Sequence, residues 1–174
     1  GEARRHFNVV RSAFGAAGKG AIRVVPTRGE PLVSARTFNR TAVGSFGQYL
    51  PALSPADAAG PGDTAVVVHL RETDAFRANL GLLNTSEVPV TVSIQLFDAD
   101  GLMIGSVHAE LAPLAFHQLD RILRRVSDDP VEIAAAHLST ATPGGSFLAY
   151  ASVVDNASGD PIFVPAVRLG QAAR

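Results

Sequence analysis

FLAYASVVDNASGDPIFVPAV, residues 147–167, and PLVSARTFNRTAVGSFGQYLPAL, residues 31–53, follow one pattern. Each opens as an alternating small/apolar strand and passes through an Asn-containing turn of Ser, Thr and Gly. Each closes on aromatic-aliphatic-Pro-Ala: Tyr49-Leu50-Pro51-Ala52 in one, Phe163-Val164-Pro165-Ala166 in the other. Repetition within a chain constrains architecture more than any local propensity. The same hairpin is therefore expected in the first and last thirds of this 174-residue chain.

The pattern extends upstream of both hairpins. Leu119, Ile122, Leu123 and Val126 fall at helical spacing, as do Phe7, Val10 and Phe14, so a helical turn is expected at each place. A short strand at residues 21–25, closed by Pro26, matches one at 131–138. The repeated order is helical turn, strand, strand, turn, strand, over residues 7–53 and again over 119–167.

Between the copies, residues 54–63 (SPADAAGPGD) have no apolar period and read as a linker. Four strands follow, at 64–70, 77–83, 88–97 and 102–111. In the third, Val90, Val92, Ile94 and Leu96 share one face while Thr91, Ser93 and Gln95 take the other. That is a half-buried antiparallel strand. Asp98-Ala99-Asp100-Gly101 is a hairpin turn, with Gly available for positive φ.

The fold class that follows is all-β, an antiparallel immunoglobulin-like sandwich with one or two short helical turns and an internal repeat. About seven strands in about 105 residues is the size of such a unit. The chain divides into a partial repeat (1–53), a linker (54–63), a seven-stranded sandwich (64–167) and a tail (168–174). Three strands with one apolar face cannot close a two-sheet core alone. The first segment must enlarge the complete sandwich, take strands from another chain, or belong to a longer array.

Composition limits the function classes. Hydrophobic residues make up 47% and charged residues 18%, enough for one core. A net charge of −1 offers no overall field for nucleic acid or anionic membrane. No apolar run approaches the roughly 18 residues of a membrane span. With no Cys, disulfides, thiol catalysis and zinc-thiolate sites are excluded. The chain starts at Gly1, and no charged segment followed by an apolar one precedes the first element, so any signal peptide is expected to have been removed or left out.

Three segments carry a resemblance: Arg77-Ala78-Asn79-Leu80-Gly81-Leu82-Leu83-Asn84, the Asp98–Gly101 turn, and LAYASVVDNASGDPIFVPA at 148–166. Together they resemble a repeated, poorly characterised β-sandwich module of large secreted or cell-surface bacterial proteins. Residues 64–167 carry the resemblance well and residues 7–53 as a partial copy. It implies an extracytoplasmic, non-catalytic role and no particular substrate.

Candidate chemistry is sparse. The histidines, His6, His69, His108, His117 and His137, stand alone on their segments, and only His69 and His137 could meet across a sheet. A metal site needs convergent ligands, and none is expected. Asp98 and Asp100 start like a calcium loop, but Leu102-Met103-Ile104 follows where oxygen ligands belong. Asp128-Asp129-Pro130 and the Asp155/Asp160 pair read as turns. Gly44-Ser45-Phe46-Gly47 and Gly144-Gly145-Ser146 are not nucleophile elbows. Asn39, Asn84 and Asn156 begin Asn-x-Ser/Thr triplets, read as turn formers rather than glycan acceptors. Arg121, Arg124 and Arg125 form a solvated basic face on the second helical turn. Tyr49 and Tyr150 lie in strands, a weak basis for carbohydrate platforms.

The sequence thus predicts no catalytic, cofactor or metal residues. The expected partners are other modules of the same polypeptide or further copies of itself, with no nucleic acid and no membrane-spanning segment. The expected role is a structural or adhesion module that is secreted, periplasmic or at the cell surface. The alternatives are a self-assembling subunit completed by strand exchange through the N-terminal repeat, and a glycan- or calcium-binding module.

Overall fold

The computed structural model describes residues 2–169. Eleven strands are formed among them: β1 Ser34–Thr41, β2 Gly44–Pro51, β3 Thr64–Glu72, β4 Phe76–Asn84, β5 Val90–Asp98, β6 Met103–Leu111, β7 Phe116–Leu119, β8 Val131–Ser139, β9 Phe147–Asp155, β10 Pro161–Pro165 and β11 Val167–Leu169. Helix α1 is Val9–Phe14, and 3-10 turns span Pro55–Asp57 and Ile122–Arg125. The protein is almost entirely β, and every strand pairing is antiparallel.

Nine strands form two sheets, ordered β10-β9-β4-β7 and β11-β3-β8-β5-β6. Their inner faces make one core. Leu80 and Leu82 of β4, Val92, Ile94 and Leu96 of β5, and Ile122 and Leu123 of the second 3-10 turn are fully buried. They sit among the small inward residues Ala134, Ala136, Ala149 and Ala151. The alternation expected for β5 holds residue by residue. Each large side chain contributes roughly 1.5–3 kcal/mol by leaving water.

The strand order departs from the immunoglobulin one. In that fold the first, second, fourth and fifth strands share a sheet, and the third, sixth and seventh share the other. Here the β4–β7 and β5–β8 pairs match that scheme. The first and fourth strands, β3 and β6, have joined the β5–β8 sheet instead, and β9 has joined β4. Consecutive strands alternate between sheets except in the β5–β6 and β9–β10 hairpins, as in a jelly roll. Strand patterning does not encode this choice, because a short connection can cross the core or turn back with equal ease.

Other expectations are also corrected. Nine strands, not seven, lie between residues 64 and 169. β7 is only four residues long, and β11 forms beyond Pro165-Ala166 against the edge of β3. The tail thus opens inside a strand, and residues 170–174 lie outside the described residues. Residues 21–25 form no strand, because no neighbouring strand receives their backbone. The linker is partly built in. Ser54 and Asp57 form a capping box, Ala58 and Ala59 are buried, and Ala59 exchanges two backbone hydrogen bonds of 2.9 Å with Phe147.

β1 and β2 pair with each other over their full length and with no other strand. The hairpin leans on β10 without joining its sheet. Gly47 N donates to Asp160 Oδ1 (2.9 Å) and Ser152 Oγ to Gln48 Oε1 (3.1 Å). No residue from 2 to 53 is buried.

Candidate functional site

The densest polar chemistry lies where β3 runs into the β3–β4 turn. Leu70 points inward, and strand periodicity turns Glu72 the same way, leaving its side chain fully buried. Glu72 Oε1 accepts from Arg121 Nε (2.9 Å) and Nη2 (2.5 Å), and Arg124 Nε lies 3.6 Å away. Among the described residues nothing donates to Glu72 Oε2. A buried carboxylate requires such pairing.

Arg121 is held from both ends. Its φ of 50° is unusual for a residue with a Cβ. Its N–H donates to Asn79 Oδ1 (3.0 Å) while its guanidinium grips Glu72. Around this pair, Asn156 Nδ2 donates to Asp74 O (3.0 Å), and Arg77 donates to Asn156 Oδ1 (2.5 Å). Arg124 donates to the Asp128 carbonyl. The β3–β4, β7–β8 and β9–β10 connections are therefore tied together by side chains. The basic face expected of Arg121, Arg124 and Arg125 is corrected: Arg121 and Arg124 turn in to Glu72. Sequence reasoning overlooked Glu72, although its parity with Leu70 marked it.

The opposite end has its own clamp. Asn84 is fully buried. Its Nδ2 donates to the carbonyls of Val88 (2.7 Å), Leu111 (3.3 Å) and Ala112 (3.0 Å), and its Oδ1 accepts from Ser86 N (2.8 Å) and Ser86 Oγ (2.7 Å). This supports its reading as a turn former. Asn39 is exposed on β1.

The remaining singled-out residues are dispersed. His137 lies opposite Val66, while His69 falls in a bulge of β3 with φ 64°, so the two are not paired. His137 packs against Phe97 with ring centroids 4.7 Å apart. His108 faces a shallow groove of about 430 Å³ lined by Thr91, Ser93, Ser139, Thr140 and Thr142. A second depression, of about 340 Å³, lies beside Leu53, Asp57, Phe147 and Arg168. Asp98 Oδ1 accepts from the N–H groups of Asp100 (3.0 Å) and Leu102 (2.9 Å). Asp155 Oδ1 accepts from Ala157 N, Ser158 N and Ser158 Oγ. Both carboxylates serve as turn caps. Ser146 Oγ meets Thr85 Oγ1 at 2.7 Å, and Ser45 Oγ accepts from Arg36. Among the described residues no group of three His, Asp or Glu could hold a metal ion, and no helix is long and apolar enough to cross a membrane.

On the outer face of the four-stranded sheet, Phe116, Tyr150 and Phe163 stack in a row, with centroids 6.4 and 5.0 Å apart. Tyr150 covers Gly81 so closely that a Cβ there would stand 2.2 Å from its ring. Burial raises the Tyr150 phenol above its ordinary pKa.

The net charge of −1 conceals a partition. Residues 1–53 carry eight Lys or Arg against two Asp or Glu, and residues 54–174 carry seven against fourteen. Alternating strand directions send the β3–β4, β5–β6, β7–β8 and β9–β10 connections to one end of the sandwich. Asp74, Asp98, Asp100, Asp120, Asp128, Asp129, Asp155 and Asp160 lie in or beside these four connections. Hydrogen bonds from Gln118, and then the charge of Lys19, lower the Asp120 pKa. The Ser158 N–H lowers that of Asp155.

No family model matches the chain, and no curated protein matches it. Among solved structures, the crystal structure of Thermotoga maritima 1070 is similar at a TM-score of 0.49 and 10% identity. The match covers 66% of this chain and 98% of that one. A likeness of that degree carries no functional argument.

Proposed function

We propose that the chain is a non-catalytic structural and adhesion module of a bacterial extracytoplasmic protein, one unit of a repeated series. One observation carries this reading: the two segments of similar sequence, 31–53 and 147–167, each fold as an antiparallel hairpin. Leu50-Pro51 and Val164-Pro165 both close the second strand, although the turns differ: Asn39, expected in a turn, lies inside β1, whereas Asn156 lies in the β9–β10 connection. A hairpin that recurs in sequence supports reading the chain as part of a repeated series. The segments at 77–84, 98–101 and 148–166, which resemble secreted and surface modules, supply the extracytoplasmic part. The tied connections and the Asn84 clamp suit a rigid scaffold, since satisfied buried polar networks fix one arrangement.

The test is mechanical. Two copies joined end to end and measured by small-angle X-ray scattering should behave as one elongated rigid body. A distance distribution typical of two freely hinged units would remove the reading.

A further inference from the structure

We propose that the chain associates with a second copy of itself. The basic arm of one copy, residues 2–51, would lie over the acidic turn end of the other copy's sandwich. This goes beyond the module reading and needs no strand exchange.

The arm has the composition of an interface without a partner. It carries eight cationic side chains and is apolar as well: Phe7, Phe14, Val25, Leu32 and Tyr49 are each more than 60% exposed. Its own sandwich satisfies little of this. Lys19 lies 3.6 Å from Asp120, and among the described residues no other cation of the arm forms an ion pair with the sandwich. Arg36 and Arg40 instead lie over the ring of Phe38, at 5.3 and 6.0 Å. The cis contacts through Lys19 and Gly47 both reach the acidic end, so the arm meets its complementary surface already but covers only a fraction of it.

The occupant follows from charge. The arm totals +6 and the rest of the chain −7. A nucleic acid or an anionic membrane would attract the arm but repel the tethered sandwich, whereas a second copy offers the acidic end together with its own cationic arm, so that two chains of net charge −1 meet with little overall repulsion. Opposed patches of this kind steer association and weaken with salt. The contact is heterologous, because the arm and the turn end are different surfaces, so it builds a ring or an open chain of copies.

The experiment is sedimentation velocity over a concentration series, at low salt and at about 0.5 M salt, where screening acts over only a few Å. The expected result is a mass that rises with concentration above 18.1 kDa at low salt and returns to it at high salt. Two charge-reversed proteins sharpen the test: Arg36→Glu with Arg40→Glu, and Asp100→Lys with Asp129→Lys. None of these side chains is buried, and a melting curve checks that each variant folds. Each variant alone should be monomeric, and their mixture should recover association at least tenfold. A wild-type protein that stays monomeric at low salt overturns the proposal, as does association indifferent to salt and to both variants. Low-salt monomers that bind phosphatidylglycerol vesicles or single-stranded DNA overturn it too, and assign the arm to that surface.

Discussion

Removing the Arg121 side chain tests how the turn end is held. Arg121→Ala leaves Glu72 buried and deprives Oε1 of both donors, at 2.9 and 2.5 Å. Breaking a buried pair from one side costs about 3–5 kcal/mol. Arg124 Nε remains 3.6 Å from the same oxygen, and the Arg121 side chain is itself about half exposed. The lower bound, about 3 kcal/mol, therefore applies. For a chain of this size that corresponds to a fall in Tm of about 6–12 °C. Arg121→Gly loses the same donors but suits the positive φ, so it should be about 1 kcal/mol less damaging than Ala. Replacing both partners, Glu72→Met with Arg121→Met, should return stability to within about 1 kcal/mol of wild type, since no charge is left stranded. Calorimetry together with urea unfolding reads all three proteins. The reasoning is refuted if Arg121→Ala melts within about 2 °C of wild type, or if the double variant is no more stable than Arg121→Ala.

Other outcomes are expected. Gly81→Ala forces the Tyr150 ring off the sheet and should cost about 1–3 kcal/mol by overpacking, measured by denaturant midpoint. Asn84→Ala strands the Val88 and Ala112 carbonyls and should cost at least about 2 kcal/mol; in a glycosylating host, mass spectrometry should find Asn84 unmodified. Ultraviolet titration should resolve a tyrosine ionising above 10.0. Because folding favours the neutral phenol there, stability should decline as pH rises past that value. The lowered pKa of Asp155 acts in the opposite direction. Its contribution is present above the unfolded value near 3.8 and is lost as pH falls through the folded one. Asp155→Asn should therefore flatten the acid limb of the stability–pH curve.

The local elements were legible where the chain states its own periodicity. Val90–Leu96 announced its buried face, Asp98–Gly101 its turn, and Ile122–Arg125 its helical turn. What the sequence did not show was long-range. The sheet that receives β3 or β9 depends on partners 70 residues away, and patterning is blind to that. The supposed strand at 21–25 had the right residues but no neighbour, and a strand without a neighbour is not formed. The polar knot was missed for a different reason. Glu72 sits at an inward position that composition alone marks as exposed, and only the return of Arg121 from a distant turn makes its burial tolerable. The charge partition was readable all along and was hidden by summing over the whole chain.

The crossing of consecutive strands between sheets has a kinetic consequence. β3 bonds to β8 and β11, and β4 to β7 and β9, so β3 finds no partner before β8, and β4 finds only the four-residue β7 before β9. Loop closure over such separations must precede the reward, and proteins of this kind fold in milliseconds to seconds rather than microseconds. On a ribosome, β3 emerges with its ladder open until β8, and β4 has only the short β7 beside it until β9, a wait of about 60 residues of further synthesis in each case. Throughout that interval they travel behind a cationic, aromatic-bearing leader that is already free to find company.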